Sequence, residues 1–134
     1  MERIARCSCG SASVCTVGEP VWQSVCHCNH CKKRTGSAFG IGAYFKKSAV
    51  VRIEGETRVY AIQHSTDRSV AIERYFCVTC GTTLYWYSSS LPELIGIAGG
   101  CFAEDPLGEP SVTASTSKKL DWVAIPSTWR VWPE

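Results

Sequence analysis

Val70-Ala71-Ile72-Glu73-Arg74-Tyr75-Phe76 runs into Cys77-Val78-Thr79-Cys80-Gly81, and residues 82–87 continue directly from it. β-Branched and aromatic residues on both sides of a short turn predict a hairpin with Cys-x-x-Cys at its tip. A second knuckle, Cys7-Ser8-Cys9-Gly10, stands near the start of the chain. Glycine follows each pair, as Gly10 and Gly81, and lets the backbone turn its N–H groups toward sulfur. Two such pairs supply four thiolates, the closed shell of a structural zinc. A metal held there pins the N-terminus to the central hairpin. The alternative is four free buried cysteines.

Strand signals dominate on either side of these knuckles. Residues 12–17 and 21–25 read as strands, the second delivering the chain into Cys26-His27-Cys28-Asn29-His30-Cys31. Residues 29–35 predict one or two helical turns stopped by Gly36. Residues 41–45, 50–53 and 58–62 are further strands, and Glu54-Gly55-Glu56 predicts a hairpin between the last two. Residues 94–98 read as a buried strand and 112–114 as an edge strand, with Pro106, Gly108 and Pro110 marking a loop between them. The tail carries Trp122, Trp129 and Trp132 among prolines, which predicts an ordered aromatic flap across the body. The fold class is mainly β, with helix confined to one or two short turns.

The 134 residues suffice for one domain, 1–134, with a real core, and 45% hydrophobic content marks a globular chain. A formal charge of +2 gives no basic surface for nucleic acid or membrane. Seven thiolates against two Zn²⁺ shift that +2 by −3, to −1. Nine cysteines cannot pair completely, and the opening Met-Glu-Arg-Ile-Ala-Arg-Cys contains no apolar core of a signal sequence. A reducing, cytoplasmic setting follows, in which cysteine clusters read as metal sites before disulfides. A disulfide-stapled secreted domain is the alternative, weakened because Cys-x-Cys pairs rarely bridge each other.

Cys26, Cys28 and Cys31 have no fourth cysteine in the same pattern. Three protein ligands and an exchangeable position are what a catalytic zinc requires, and that position can hold water or a substrate thiolate. With fewer ligands, this second zinc is lost more readily than the first. Cys101 folding over, or His30, are alternative fourth ligands. His27 sits between two ligands and is expected to point away from the metal. Lys32, Lys33 and Arg34 follow, either as a solvated face or as cations that attract a carboxylate-bearing thiol such as glutathione. Phe39, Tyr44 and Trp129 are candidate pocket walls. Cys15 reads as a small core residue. Cys101 reads the same way, with a reactive thiol in reserve.

Cys-x-Cys-Gly, then Cys-His-Cys-x-x-Cys with two basic residues and Gly36, then Phe76-Cys-x-x-Cys-Gly-Thr-x-Leu84, resembles the glutathione-dependent formaldehyde-activating enzyme family, which also includes centromere protein V. The resemblance covers Cys7 to Gly10, Cys26 to Phe39 and Phe76 to Leu84, and extends loosely through residues 99–106 to Trp122. It implies a β-tent, two stacked antiparallel sheets converging near the metals. It implies structural zinc at Cys7, Cys9, Cys77 and Cys80, and glutathione-linked zinc at Cys26, Cys28 and Cys31. The implied activity is carbon–sulfur lyase chemistry joining formaldehyde to glutathione. A rival class is a zinc-stabilised binding module without turnover, its second site closed by Cys101 or His30 or left empty. A homodimer is compatible with either.

Overall fold

A computed structural model describes residues 1–132. It is mainly β, with one short α-helix and single 3₁₀ turns, as the composition of the strand segments predicts. In chain order the elements are β1 (Glu2–Arg6), β2 (Ser13–Val17), β3 (Trp22–Cys26), α1 (Asn29–Thr35), β4 (Gly40–Lys46), β5 (Val50–Glu54), β6 (Thr57–Gln63), β7 (Ala71–Cys77), β8 (Thr83–Ser88), β9 (Leu94–Ala98), β10 (Val112–Ala114) and β11 (Arg130–Trp132). They form a three-stranded sheet, β1-β2-β5, and an eight-stranded sheet, β11-β10-β3-β4-β9-β8-β7-β6. Pairing is antiparallel except at β10, which runs parallel to both β3 and β11.

Both sheets bury one face in a shared core. Ala5, Ala12 and Val14 come from the small sheet and its turn, and Ala43, Phe45, Tyr85, Ile95 and Ile97 from the large one. Phe102, from the 3₁₀ turn Gly99–Phe102, packs its ring against Phe45, tilted, with centres 5.9 Å apart. Strand alternation then turns Gly42 and Tyr44 to the opposite face of the large sheet, where α1 lies. That face carries the second cysteine cluster.

Three expectations are corrected. Residues 50–53 and 58–62 do not form a hairpin, because β5 pairs with β2 in the small sheet while β6 pairs with β7 in the large one. Gly55 makes the crossing possible: its φ is +93°, and a Cβ there would collide with the Ser11 carbonyl and Ala12. Strand β10 is not an edge strand but lies between β3 and β11. The aromatic tail, expected as an ordered flap across the body, lies instead along the edge of the large sheet. It adds β11 to the sheet edge, leaving Trp122 75% and Trp132 58% exposed, while Trp129 donates its indole N–H to Glu109 Oε2 at 2.8 Å. Pro133 lies outside the described residues. Two strands escaped the sequence reading, β11 and β1. The inward positions of β1 are Arg3 and Ala5, and Arg3 reaches Glu19 at 3.0 Å, so no apolar alternation announces it.

Candidate metal centres

The first cluster forms where two turns meet. Cys7 and Cys9 lie in the turn between β1 and β2, while Cys77 ends β7 and Cys80 lies in the turn that leads to β8. The two turns are built alike. Cys7 N–H donates to Ala12 O at 3.1 Å and Gly10 N–H to Cys7 O at 3.0 Å; Cys77 N–H donates to Thr82 O at 2.9 Å and Gly81 N–H to Cys77 O at 2.9 Å. Each aims N–H groups at sulfur, from Ala12 to Cys7 at 3.2 Å and from Thr79 to Cys77 at 3.4 Å. The Ser11 hydroxyl, 3.2 Å from Cys77, lowers that thiol to about 7. The Thr82 hydroxyl, 3.2 Å from Cys80, lowers that one to about 5.

All four sulfurs lie within 4.8 Å of one another, with Cys7–Cys9 and Cys9–Cys77 each at 3.7 Å. Two sulfurs at the usual zinc distance and a tetrahedral angle lie about 3.8 Å apart. The set therefore fits a tetrahedral metal, and a zinc held by it would have no open position.

The second cluster is local. Strand β3 ends on Cys26, and Cys28 caps α1, its sulfur accepting from Cys31 N–H at 3.4 Å. One turn of helix then brings Cys31 back beside Cys28. Gly36, at φ +64°, ends the helix. The sulfurs of Cys26, Cys28 and Cys31 lie within 4.8 Å of one another, and among the described residues no fourth His, Cys, Asp or Glu joins them. The thiols of Cys26 and Cys31 beside Cys28 hold its pKa well below the ordinary thiol value, while Cys31 is pushed up by Cys26 and Cys28. Ser115 lies alongside, its hydroxyl 3.9 Å from Cys26 Sγ. Among the described residues it is the only non-glycine with positive φ, at 56°.

The three cations after Cys31 go different ways. Lys33 is exposed. Lys32 donates its ammonium to Lys118 O at 2.9 Å. Arg34 folds back over the sheet, its guanidinium 4.6 Å from the Trp86 ring centre. Gly40 makes room for it, since a Cβ there would strike Arg34 Nη2 and sit 3.2 Å from Cys31 Cβ. Trp86 itself lies flat because Gly42 and Gly96 stand beneath it; a Cβ on Gly96 would overlap the indole. Its indole N–H donates to the Tyr44 hydroxyl at 3.2 Å. Burial pushes the Tyr44 phenol up to about 12, so it keeps its proton at neutral pH.

Arg74 was missed from sequence. Its Nη2 donates to His30 O at 3.3 Å, tying β7 to α1. Register explains the meeting of these groups. Trp22, Tyr44, Gly96, Trp86, Arg74 and Tyr60 are successive direct partners across β3, β4, β9, β8, β7 and β6. They form one transverse row.

The remaining candidates stand apart from the second cluster's sulfurs. His27 is fully buried behind the loop, its Nε2 3.0 Å from Thr113 Oγ1 and its ring edge-on to Phe39 at 5.9 Å. Burial lowers its pKa, and Nδ1 has no partner. Phe39 therefore backs the ligand loop. Cys101 lies in the Gly99–Phe102 turn and borders an open cleft of roughly 560 Å³ beside Cys7 and Cys9; burial pushes its thiol up to about 11. Cys15 is buried, as expected, with its thiol 3.6 Å from Glu2 Oε1. All nine cysteines are free. Among the described residues, no helix is long and apolar enough to cross a membrane.

The sequence model for glutathione-dependent formaldehyde-activating enzyme matches residues 2–118. A Fusarium vanettenii protein named "Putative glutathione-dependent formaldehyde-activating enzyme" is 30% identical over 82 residues, covering 60% of this chain and 42% of that protein. The chain thus spans about two fifths of that relative's length. A crystal structure of a Rhodobacter sphaeroides protein aligns with a TM-score of 0.53 at 25% identity, covering 75% of this chain and 86% of the other. Matched from β1 through to the turn after β10, the chain belongs to the glutathione-dependent formaldehyde-activating enzyme family.

Proposed function

We propose that this chain is a zinc-dependent carbon–sulfur lyase acting on the adduct of a thiol with a small electrophile, glutathione and formaldehyde being the pair named in the family's description. The observation that carries the reading is the trio Cys26, Cys28 and Cys31, gathered within 4.8 Å with no fourth donor from the described residues. Three soft protein ligands suit a working zinc, whereas the four of Cys7, Cys9, Cys77 and Cys80 suit a structural one. Zinc bound by the trio supplies a Lewis acid that keeps sulfur deprotonated near neutral pH and leaves one position for an exchangeable ligand.

The chain's own residues have separate tasks. Cys28, as helix cap, orients the trio. Arg34, stacked on Trp86, holds a fixed cation beside it. The Tyr44 hydroxyl keeps a proton with which to hydrogen-bond an oxygen at the site. In the synthetic direction the ligand sulfur's electron pair forms the C–S bond. The carbonyl pair moves to oxygen, which takes up the proton that the thiol gave up. Lys32 and Lys33 are left the lesser role of general positive charge around the entrance.

Residues 1–134 are read as one zinc-binding domain working in the cytoplasm, where free cysteines stay reduced. Calorimetric titration of the zinc-loaded protein with glutathione tests the reading, with Cys28→Ser alongside. Saturable binding in the wild type and its loss in the variant are expected, together with formation of S-hydroxymethylglutathione followed by NMR. Absence of saturable binding to glutathione or any small thiol would sink the enzyme reading. Binding without turnover would leave a zinc-stabilised binding module.

A further inference from the structure

We infer that Arg34 and Arg74 together form a seat for a carboxylate of the thiol ligand, so that the second cysteine cluster selects anionic thiols. The inference rests on the thiol-ligand reading above and adds its specificity residues. Neither cation was brought by the other's element. Arg34 is the last basic residue of α1, and Arg74 lies in the middle of β7. Geometry joins them through two links. Arg74 grips the α1 backbone at His30 O, one helical turn before Arg34, at 3.3 Å. Arg34 lies over Trp86, which is the direct cross-strand partner of Arg74.

Both guanidiniums are half-buried, and among the described residues neither meets a carboxylate; the ion pairs there are Arg3–Glu19 and Arg52–Glu54. Holding two like charges together without a counter-ion is costly unless something anionic joins them. The thiolate trio supplies part of the balance but none of the shape. Guanidinium presents a planar fork matched to a carboxylate, and a fork pinned by stacking loses little freedom on binding. Gly40, Gly42 and Gly96 give up their side chains to let this arrangement lie flat. The exposed face of Tyr60, 57% accessible, continues the row beyond Arg74 toward solvent. A ligand with its sulfur at the trio and a carboxylate a few bonds away fits this layout. A neutral thiol leaves the forks empty.

Calorimetry on the zinc-loaded protein separates the possibilities, with wild type, Arg34→Met, Arg74→Met and Arg74→Lys, each checked for fold by circular dichroism. The probes are glutathione, its diethyl ester, cysteamine and S-methylglutathione, which keeps both carboxylates but has no free thiol. With wild type, the ester and cysteamine are expected to bind about 10- to 100-fold more weakly than glutathione. That gap closes in the Met variants and narrows in Arg74→Lys, which keeps charge but loses the fork. Equal affinity for ester and acid in the wild type overturns the seat, and needs no variant to fold. Equal weakening of acid and ester in the Met variants also overturns it, since the guanidiniums then serve the cysteine thiolates. If glutathione and S-methylglutathione bind alike and both depend on the arginines, the seat stands and the thiol reading falls. No binding by any probe ends both.

Discussion

Trp86 is 8% exposed, lies flat on the large sheet, and holds Arg34 above it. It can do so only because Gly96 has no side chain. Gly96→Ala must displace the indole or bend β9, and is expected to cost about 1–3 kcal/mol, the usual range for overpacking. Urea denaturation measures this, with Gly100→Ala, whose Cβ would meet nothing within 4 Å, as the near-neutral control. Two cysteines outside the clusters give a second check. Burial raises both Cys15 and Cys101, so neither is a ready thiolate at neutral pH. Alkylation by iodoacetamide at pH 7, mapped by mass spectrometry, should spare both in the folded protein and modify both after unfolding. Fast native labelling of Cys101 would revive it as a reactive thiol.

Cysteine knuckles were legible in the sequence because each is local. Cys28 and Cys31 are set by three residues of spacing and one helical turn, and Cys77 and Cys80 by one tight turn. Glycine after each pair marks the turn in plain text. The walls of the second site were far less legible. Tyr44 was named, but Arg74 and Trp86 were not, since their meeting depends on the register of six strands. A one-residue slip would send each side chain to the other face. For the same reason the hairpin expected at Gly55 failed: turn signals fix where the chain bends, not which sheet receives it. Cys28→Ser tests the element as a unit. Serine can still cap α1, so the helix is expected to persist while metal content falls from two zinc per chain to one. Elemental analysis after gel filtration reads this directly, and unchanged stoichiometry would mean that Cys28 is no ligand.

At the scale of the molecule, the first cluster joins the two sheets. Cys7 and Cys9 belong to the turn of the small sheet, Cys77 and Cys80 to a turn of the large one. Ser8 N–H donating to Thr82 Oγ1 at 3.1 Å reinforces the same junction. The shared core includes Cys7 and Cys77 themselves, so a metal there should contribute directly to folding. Cys77→Ser is expected to lower the melting temperature by more than about 10 °C, whereas Cys28→Ser should lower it by less than about half that. Hydrogen exchange should speed first in β1, β2 and β5, the smaller partner at the junction. Mild chelation should empty the three-cysteine site before the four-cysteine site, in two resolved steps. Simultaneous loss would contradict the division into an open and a closed centre.

The proposed function turns on whether a metal held by Cys26, Cys28 and Cys31 takes its fourth ligand from a thiol. Zinc-edge X-ray absorption on the Cys77-intact, doubly loaded protein, recorded before and after adding glutathione, tests this most directly. The expected result is the gain of one sulfur neighbour in place of a light atom, absent in Cys28→Ser. A second zinc already surrounded by four protein ligands, unchanged by any thiol, would contradict it.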